Sequence, residues 1–285
     1  MKNLTKRIIT SFLVLAVFAG VFLMGENASA SGGVSPNSPW ANGFIVQTPY
    51  DQQVYVENGI EFHYVAGDTW QGMMMIIPDS SRVFVGMPKL NYDKGPGASA
   101  YSQAARYHAL LAVNGAFFVD TNYKGNGGQP LGVVISQGRC TAGANTASTI
   151  IGLTANNIPV CGTYTGSQAV SLGVRDAVAC SPILVQNGQM TNLAGQSRTL
   201  IDARTAVGFR ADGSTLILSI DGRNAHSTGA TTQMEAECFL AFGAICAGNL
   251  DGGGSCGLYY GGQTPINLIN TRGGRAVPNS ICVMP

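Results

Sequence analysis

Asp251 stands directly before three glycines and a serine and two residues after an asparagine, in the stretch Asn249-Leu250-Asp251-Gly252-Gly253-Gly254-Ser255. Three consecutive glycines add nothing to a core and each costs backbone entropy. They belong where backbone passes close to another group or where amides converge. Successive amides in such a turn form an anion-binding nest. A carboxylate fixed beside a nest points to chemistry on a phosphorylated or otherwise anionic substrate; the plainer reading is a flexible loop between strands. A second constellation is Asp221-Gly222-Arg223 at the end of a strand-like run, with Arg204 opening the partner run. The planar guanidinium fork suits phosphate or carboxylate, against the simpler alternative of a surface ion pair. Asn114-Gly115 places a turn dipeptide inside the apolar run Ala112 to Phe118; local rules broken in this way concentrate at sites, and a plain hairpin turn is the equal alternative.

The elements around these residues follow from periodicity. Thr232 to Gly243 reads as a helix, with Met234, Cys238, Phe239 and Phe242 at helical spacing, Thr231 or Thr232 as cap and Gly243 as stop. Ala244 to Ala247 is a short buried strand, so the glycine turn leaves a packed element. Ser99 to Leu111 is alanine-rich and helical. Strand-like runs cover Ile60 to Val65, Met73 to Ile77 and Val83 to Val85. The methionines belong to a core strand, and His63 alternates to the opposite side without a catalytic role.

Hairpins are expected for Leu131 to Ser136 with the run after Arg139, for Ile150 to Leu153 with Val160 to Tyr164, and for Ala177 to Val185 across Gln186 to Gln189. A fourth joins Arg204 to Phe209 with Thr215 to Ile220. So many hairpins predict an α+β fold, a largely antiparallel mixed sheet system with a few packed helices. No GxGxxG or Walker pattern follows any of these strands.

Lys2, Lys6 and Arg7 precede the apolar Ile8 to Met24, and Asn27-Ala28-Ser29-Ala30 has the small-x-small pattern of a secretory signal peptide. Residues 1–30 are expected to be removed, giving a secreted or extracytoplasmic chain with no stable membrane span; the alternative is a retained anchor, since the apolar run is marginally long enough to span. Residues 31–58 then form a polar leader and the start of the domain, and 59–285 the domain itself. The chain has 16 Lys+Arg against 15 Asp+Glu. Removing Lys2, Lys6, Arg7 and Glu26 leaves 13 against 14, which is no nucleic-acid footprint. Seven cysteines without a CxxC pair predict up to three disulfides and one odd thiol in an oxidising compartment. Zinc fits less well, with only three histidines. Oligomeric state is not set by the sequence.

The order of motifs adds a resemblance. Asn114-Gly115-Ala116-Phe117-Phe118, Gly132-Val133-Val134-Ile135, Arg204-Thr205-Ala206, Asp221-Gly222-Arg223, the glycine-run motif and Gly274-Arg275-Ala276-Val277-Pro278-Asn279 occur in series. From about Ala109 to Val283 this resembles the phosphodiester glycosidase family. The resemblance implies hydrolysis of a sugar-1-phosphodiester at the anomeric carbon, freeing a sugar and a phosphomonoester. Family members often carry an acid in the first turn of the helix before the glycine motif. Here the acid is Glu235, displaced by about a position. Cys256, directly after Ser255, also sets the chain apart.

The implied reaction builds positive charge on the sugar and negative charge on the departing phosphate. Arg204, Arg223 and the amides of Gly252, Gly253 and Gly254, with Ser255 closing the turn, suit the phosphate. Asp251 and Asp221 suit the cation, and one of them activates water or attacks directly, with Glu235 as a further candidate. Asn114 and Asn249 are expected to hydrogen-bond the sugar, and Phe117 or Phe118 to pack on its apolar face. No cofactor is required, although the acid-bearing loops leave room for one structural calcium. Two other classes compete: a non-catalytic carbohydrate-binding or cell-surface protein, and a metal-dependent phosphodiesterase, for which the histidines are too few.

Overall fold

A computed structural model describes residues 55–92, 95–193, 200–225, 227–261 and 274–285. The expected signal peptide, nearly all of the leader and His226 lie outside them. The strands are β1 Tyr55–Glu57, β2 Ile60–Ala66, β3 Gln71–Ile77 and β4 Val83–Gly86. After helix α1 (Ala100–Tyr107) come β5 Leu111–Asn114, β6 Val134–Ser136, β7 Arg139–Ala142, β8 Ser148–Thr154 and β9 Pro159–Tyr164. Helix α2 (Gly166–Ser171) leads to β10 Val174–Ala179, β11 Ile183–Gln186, β12 Gln189–Met190, β13 Arg204–Arg210 and β14 Thr215–Ile220. Helix α3 (Thr232–Ala241), β15 Ala244–Asn249, β16 Leu258–Tyr260 and β17 Ser280–Val283 complete the chain.

Three antiparallel sheets form, ordered β1-β2-β3-β14-β13-β15-β11-β12, β7-β6-β10-β8-β9 and β16-β5-β17-β4. The fold is α+β, as the hairpin count predicts. The first sheet is buried on both faces, and the period of two along its strands shows how. Met73, Met75 and Ile77 enter the central core with Val207, Phe209 and Ile217 from β13 and β14. The core's other wall comes from the two smaller sheets, through Val85, Val113 and Ile281 and through Val134, Ile151 and Val178. Met74, Ile76, Leu216 and Leu218 point the other way and pack under α3 with Ala236, Cys238 and Phe239. Helix α1 covers the four-stranded sheet and α2 the five-stranded one. Strands buried on both faces read as continuous apolar runs, which is why β3 and β14 show so little polar alternation.

Most expected boundaries hold to within a few residues, and two differ. Helix α1 ends at Tyr107 because His108 takes a left-handed conformation, φ 53°; Ser99 caps its start by accepting from the Ser102 amide. The run Ala177 to Val185 is two strands rather than one. It breaks at Cys180-Ser181-Pro182, where the chain passes from the five-stranded to the eight-stranded sheet, and proline removes a ladder donor there. His63 lies edge-on to Phe242, 5.1 Å between rings.

Candidate active site

Antiparallel register gathers the singled-out residues at one end of the large sheet. Arg204, first in β13, lies opposite Ile220, last in β14. Ala206 lies opposite Asn249, last in β15. Arg204, Asp221 and the segment from Asn249 to Ser255 therefore leave the sheet together. A cavity of about 430 Å³ opens there, lined by Phe117, Ser181, Pro182, Leu200, Asp202, Arg204, Thr232, Asn249, Asp251, Gly252 and Gly253, within the size range of small-ligand sites.

Asp251 lines this cavity, its carboxyl accepting from the Gly252 amide at 3.0 Å and from the Ser255 side chain. Burial raises its pKa above the usual carboxylate range, against the Ser255 and Gly252 hydrogen bonds and the charge of Arg275, while the charge of Asp120 adds to the rise. Asp120 and Arg275 form a bidentate pair at 2.5 and 2.6 Å, and the Arg275 guanidinium lies 4.7 Å from the Phe118 ring centre. Arg204 is 6% exposed. Its Nε donates to the Ala230 carbonyl at 2.9 Å and its Nη2 to the Leu200 carbonyl. These partners are neutral, so its positive charge reaches the cavity without a carboxylate bound to it among the described residues. Asn249 donates Nδ2 to the Ser181 carbonyl at 2.6 Å, while its buried Oδ1 has no partner among the described residues. The Thr232 hydroxyl, also buried against the cavity, is likewise unpartnered among them.

Several expectations are corrected by these positions. The amides of the glycine run are not an open nest: Gly252 donates to Asp251 and Gly253 to the Ala203 carbonyl at 2.8 Å. Gly253 instead has φ +60° and supports Arg223, whose Nη2 would be 2.4 Å from an added Cβ. Gly254 is outside the cavity lining and Ser255 is buried beneath it. Arg223 does not offer a free fork. It grips Asp202 at 2.6 and 2.7 Å, which raises its own pKa.

Asn114 is fully buried and faces the protein. Its Nδ2 donates to the Asp251 carbonyl at 2.6 Å, and its Oδ1 accepts from Thr205 Oγ1 at 2.7 Å and the Gly257 amide at 3.3 Å. It positions the turn from behind. The neighbouring Gly115 admits Asn279, whose Oδ1 would lie 2.0 Å from a Cβ. Asp221 is a turn residue, its carboxylate accepting from the Gly222 amide and Asn224 Nδ2, both at 2.8 Å. Glu235 is fully buried behind the cavity and both its oxygens lack partners among the described residues. Burial pushes its pKa up to about 8, opposed by the charge of Arg204. Among the described residues, no group of three or more His, Cys, Asp or Glu side chains is arranged to hold a metal ion.

The profile of the phosphodiester glycosidase family matches residues 107–284. The chain belongs to the phosphodiester glycosidase family. Its fold is similar to the catalytic domain of zebrafish N-acetylglucosamine-1-phosphodiester alpha-N-acetylglucosaminidase, a structure auto-inhibited by its pro-peptide. The TM-score is 0.64 at 20% identity, over 90% of this chain and 96% of that one. A hypothetical protein from Synechocystis shares the fold at TM-score 0.62 and 17% identity, over 79% of this chain and 62% of that one. In sequence, the chain is 34% identical over 119 residues to the SPbeta prophage-derived uncharacterized protein YomE of Bacillus subtilis (strain 168). The match covers 40% of this chain and only 18% of that relative's length.

In this member of the family, the cavity residues missed from sequence are Asp202, Thr232, Leu200 and Ser181-Pro182. Asp202 follows an undistinguished Leu200-Ile201 and precedes the Arg204 strand by two residues; only pairing with Arg223 reveals it. Thr232 was legible as part of a helix start, and Thr231 proves to be the cap, accepting from the Met234 amide at 3.2 Å.

Proposed function

We propose that the chain is an exported hydrolase that cleaves the sugar C1–O bond of glycosyl-1-phosphodiesters, releasing a sugar and a phosphomonoester. The observation that carries this reading is the pairing, in one cavity, of a carboxyl with raised pKa and a buried guanidinium to which no carboxylate is bonded among the described residues. They match the two charges that such a cleavage separates.

Arg204 receives the phosphate, whose negative charge grows as the bond breaks. Phosphate is already a good leaving group, so the demand for a general acid is small. Asp251 faces the sugar and takes the proton of the attacking water; its raised pKa makes it a stronger base than an exposed carboxylate. Asp202, held by Arg223, is the second cavity carboxylate and stabilises the cationic sugar. The Asn249 Oδ1 accepts from a sugar hydroxyl, Thr232 offers a further hydroxyl contact, and Phe117 packs on the apolar ring face. Export rests on the signal-like residues 1–30, and no helix among the described residues is long and apolar enough to cross a membrane.

The test is a panel of sugar-1-phosphodiesters with both products identified. Free sugar and phosphomonoester in equal amounts are expected. Release of a sugar-1-phosphate would place cleavage at the P–O bond instead, and binding without turnover would make the chain a carbohydrate-binding protein on this scaffold.

A further inference from the structure

Three thiols meet where the eight-stranded and five-stranded sheets face each other. Cys161 lies on β9, a border strand of the five-stranded sheet. Cys246 lies on β15, and the two thiols are hydrogen-bonded to each other. Cys180 is near both, its Sγ only 2.7 Å from where a Cβ on Gly248 would lie. Gly248 is two residues along β15 from Cys246, on the same face of that strand. All seven cysteines are free thiols, and the remaining four are placed apart from this group. Cys238 is on the buried face of α3, Cys282 lies beneath α1, Cys140 donates to the Ala142 carbonyl at 3.1 Å, and Cys256 lies 3.5 Å from Thr205 Oγ1.

We propose that Cys161 and Cys246 are a modification site, at which oxidation forms a disulfide joining the two sheets. The co-reactant is a disulfide of the low-molecular-weight or oxidoreductase class. Cys161, the more exposed of the two, attacks it as thiolate, forming a mixed disulfide and releasing one thiol. Cys246 then loses its proton and attacks the Cys161 sulfur, forming the intramolecular bond and expelling the second thiol. Two cysteine thiols are oxidised and one external disulfide is reduced to two thiols. The hydrogen bond donated by Cys246 favours this order, since it holds the Cys161 thiol below its ordinary range against the effect of burial.

The bond has a structural consequence. Strand β15 ends three residues beyond Cys246 at Asn249, and the next turn carries Asp251. A disulfide at Cys246 anchors that strand to β9, and the two residues are far apart in sequence, where loop closure in the unfolded chain is most costly.

The experiment incubates the purified protein with oxidised glutathione, and in parallel refolds it in a glutathione redox buffer. Free thiols are then alkylated in denaturant, the protein is digested without reductant, and the peptides are weighed. The expected product is a linked pair of the Cys161 and Cys246 peptides, lighter than their sum by two hydrogens, and absent from Cys161→Ala. Its melting temperature should exceed that of the reduced protein by roughly 5–10 °C. Alkylation of both residues in both samples would overturn the proposal. So would linkage of Cys161 to Cys180, or a linked pair whose formation leaves the melting temperature unchanged.

Discussion

The guanidinium of Arg223 rests on the α-carbon of Gly253, while its Nε and Nη2 hold the carboxylate of Asp202 at 2.6 and 2.7 Å. The central glycine of the run is therefore the seat of an ion pair at the cavity edge. Gly253→Ala meets two obstacles, a positive φ of 60° and Arg223 Nη2 at 2.4 Å from the new Cβ. The left-handed conformation alone costs about 1–2 kcal/mol for a residue with a Cβ. Displacing Arg223 releases Asp202 into the cavity. A lower stability by denaturant titration is expected, together with a fall of about tenfold or more in kcat/KM. An alanine variant with wild-type kinetics would show that the pair has no part in the site.

Asp251→Asn keeps the shape of the turn, because the Asn114 contact is to the Asp251 backbone carbonyl rather than to its side chain. It removes the charge and the basicity. If Asp251 activates water, kcat should fall by about two orders of magnitude with little change in folding. In the wild type, rate should rise with pH through the raised pKa of this carboxyl, so the acid limb lies above the ordinary carboxylate range. The variant should lose that limb. A fully active, folded Asp251→Asn protein would move the catalytic assignment to Asp202.

The two arginines are expected to respond differently to lysine. Arg204→Lys substitutes a point charge for a fork tied to two backbone carbonyls, so both support and phosphate contact are lost. Its kcat/KM should drop about a hundredfold. Arg223 is 56% exposed, its partner is Asp202, and such pairs contribute little to stability. Arg223→Lys should cost less than tenfold and should couple to Asp202→Asn in a double-mutant cycle. Equal losses in the two lysine variants would put Arg223 on the substrate directly.

What was legible in the sequence, and what was not, divides along physical lines. β6–β7, β8–β9 and β13–β14 were readable because turn residues punctuate alternating apolar runs. The end of β15 was readable because nothing but function or close approach explains three glycines. Their purpose was not: an open nest and a seat for Arg223 leave the same trace in sequence, and only the partners of the Gly252 and Gly253 amides separate them. Asn114 stood out in the sequence as a rule broken. Its partners, the Asp251 carbonyl, Thr205 and Gly257, lie far along the chain, so its turn from the sugar to the protein interior could not be seen. Asp202 escaped notice because a lone acid in a loop carries no periodicity.

Glu235 gives the prediction most independent of substrate. It occupies the first turn of α3, where the helix dipole favours a charged carboxylate, yet it is fully buried and neither oxygen is hydrogen-bonded within the described residues. Burial wins and raises its pKa from 4.5 to about 8. In the unfolded chain the proton leaves near pH 4.5; in the folded chain it stays until about pH 8. Between those values the folded state binds one more proton, so this group makes stability fall as pH rises, by at most about 1.4 kcal/mol per pH unit. Below the window the contribution is fully present, and above it the slope ends. Glu235→Gln has no proton to lose and should remove this component. Asp176 and Asp251 also have raised pKa values from burial, so the wild-type profile alone mixes several groups, whereas the difference between the two proteins isolates Glu235. Urea titrations at pH 4, 6, 8 and 9 should show near-equal stability at the lowest pH and a growing advantage for the glutamine variant up to pH 8. Parallel profiles for the two proteins would mean that Glu235 is ionised in the folded state, held by a partner such as a rearranged Arg204.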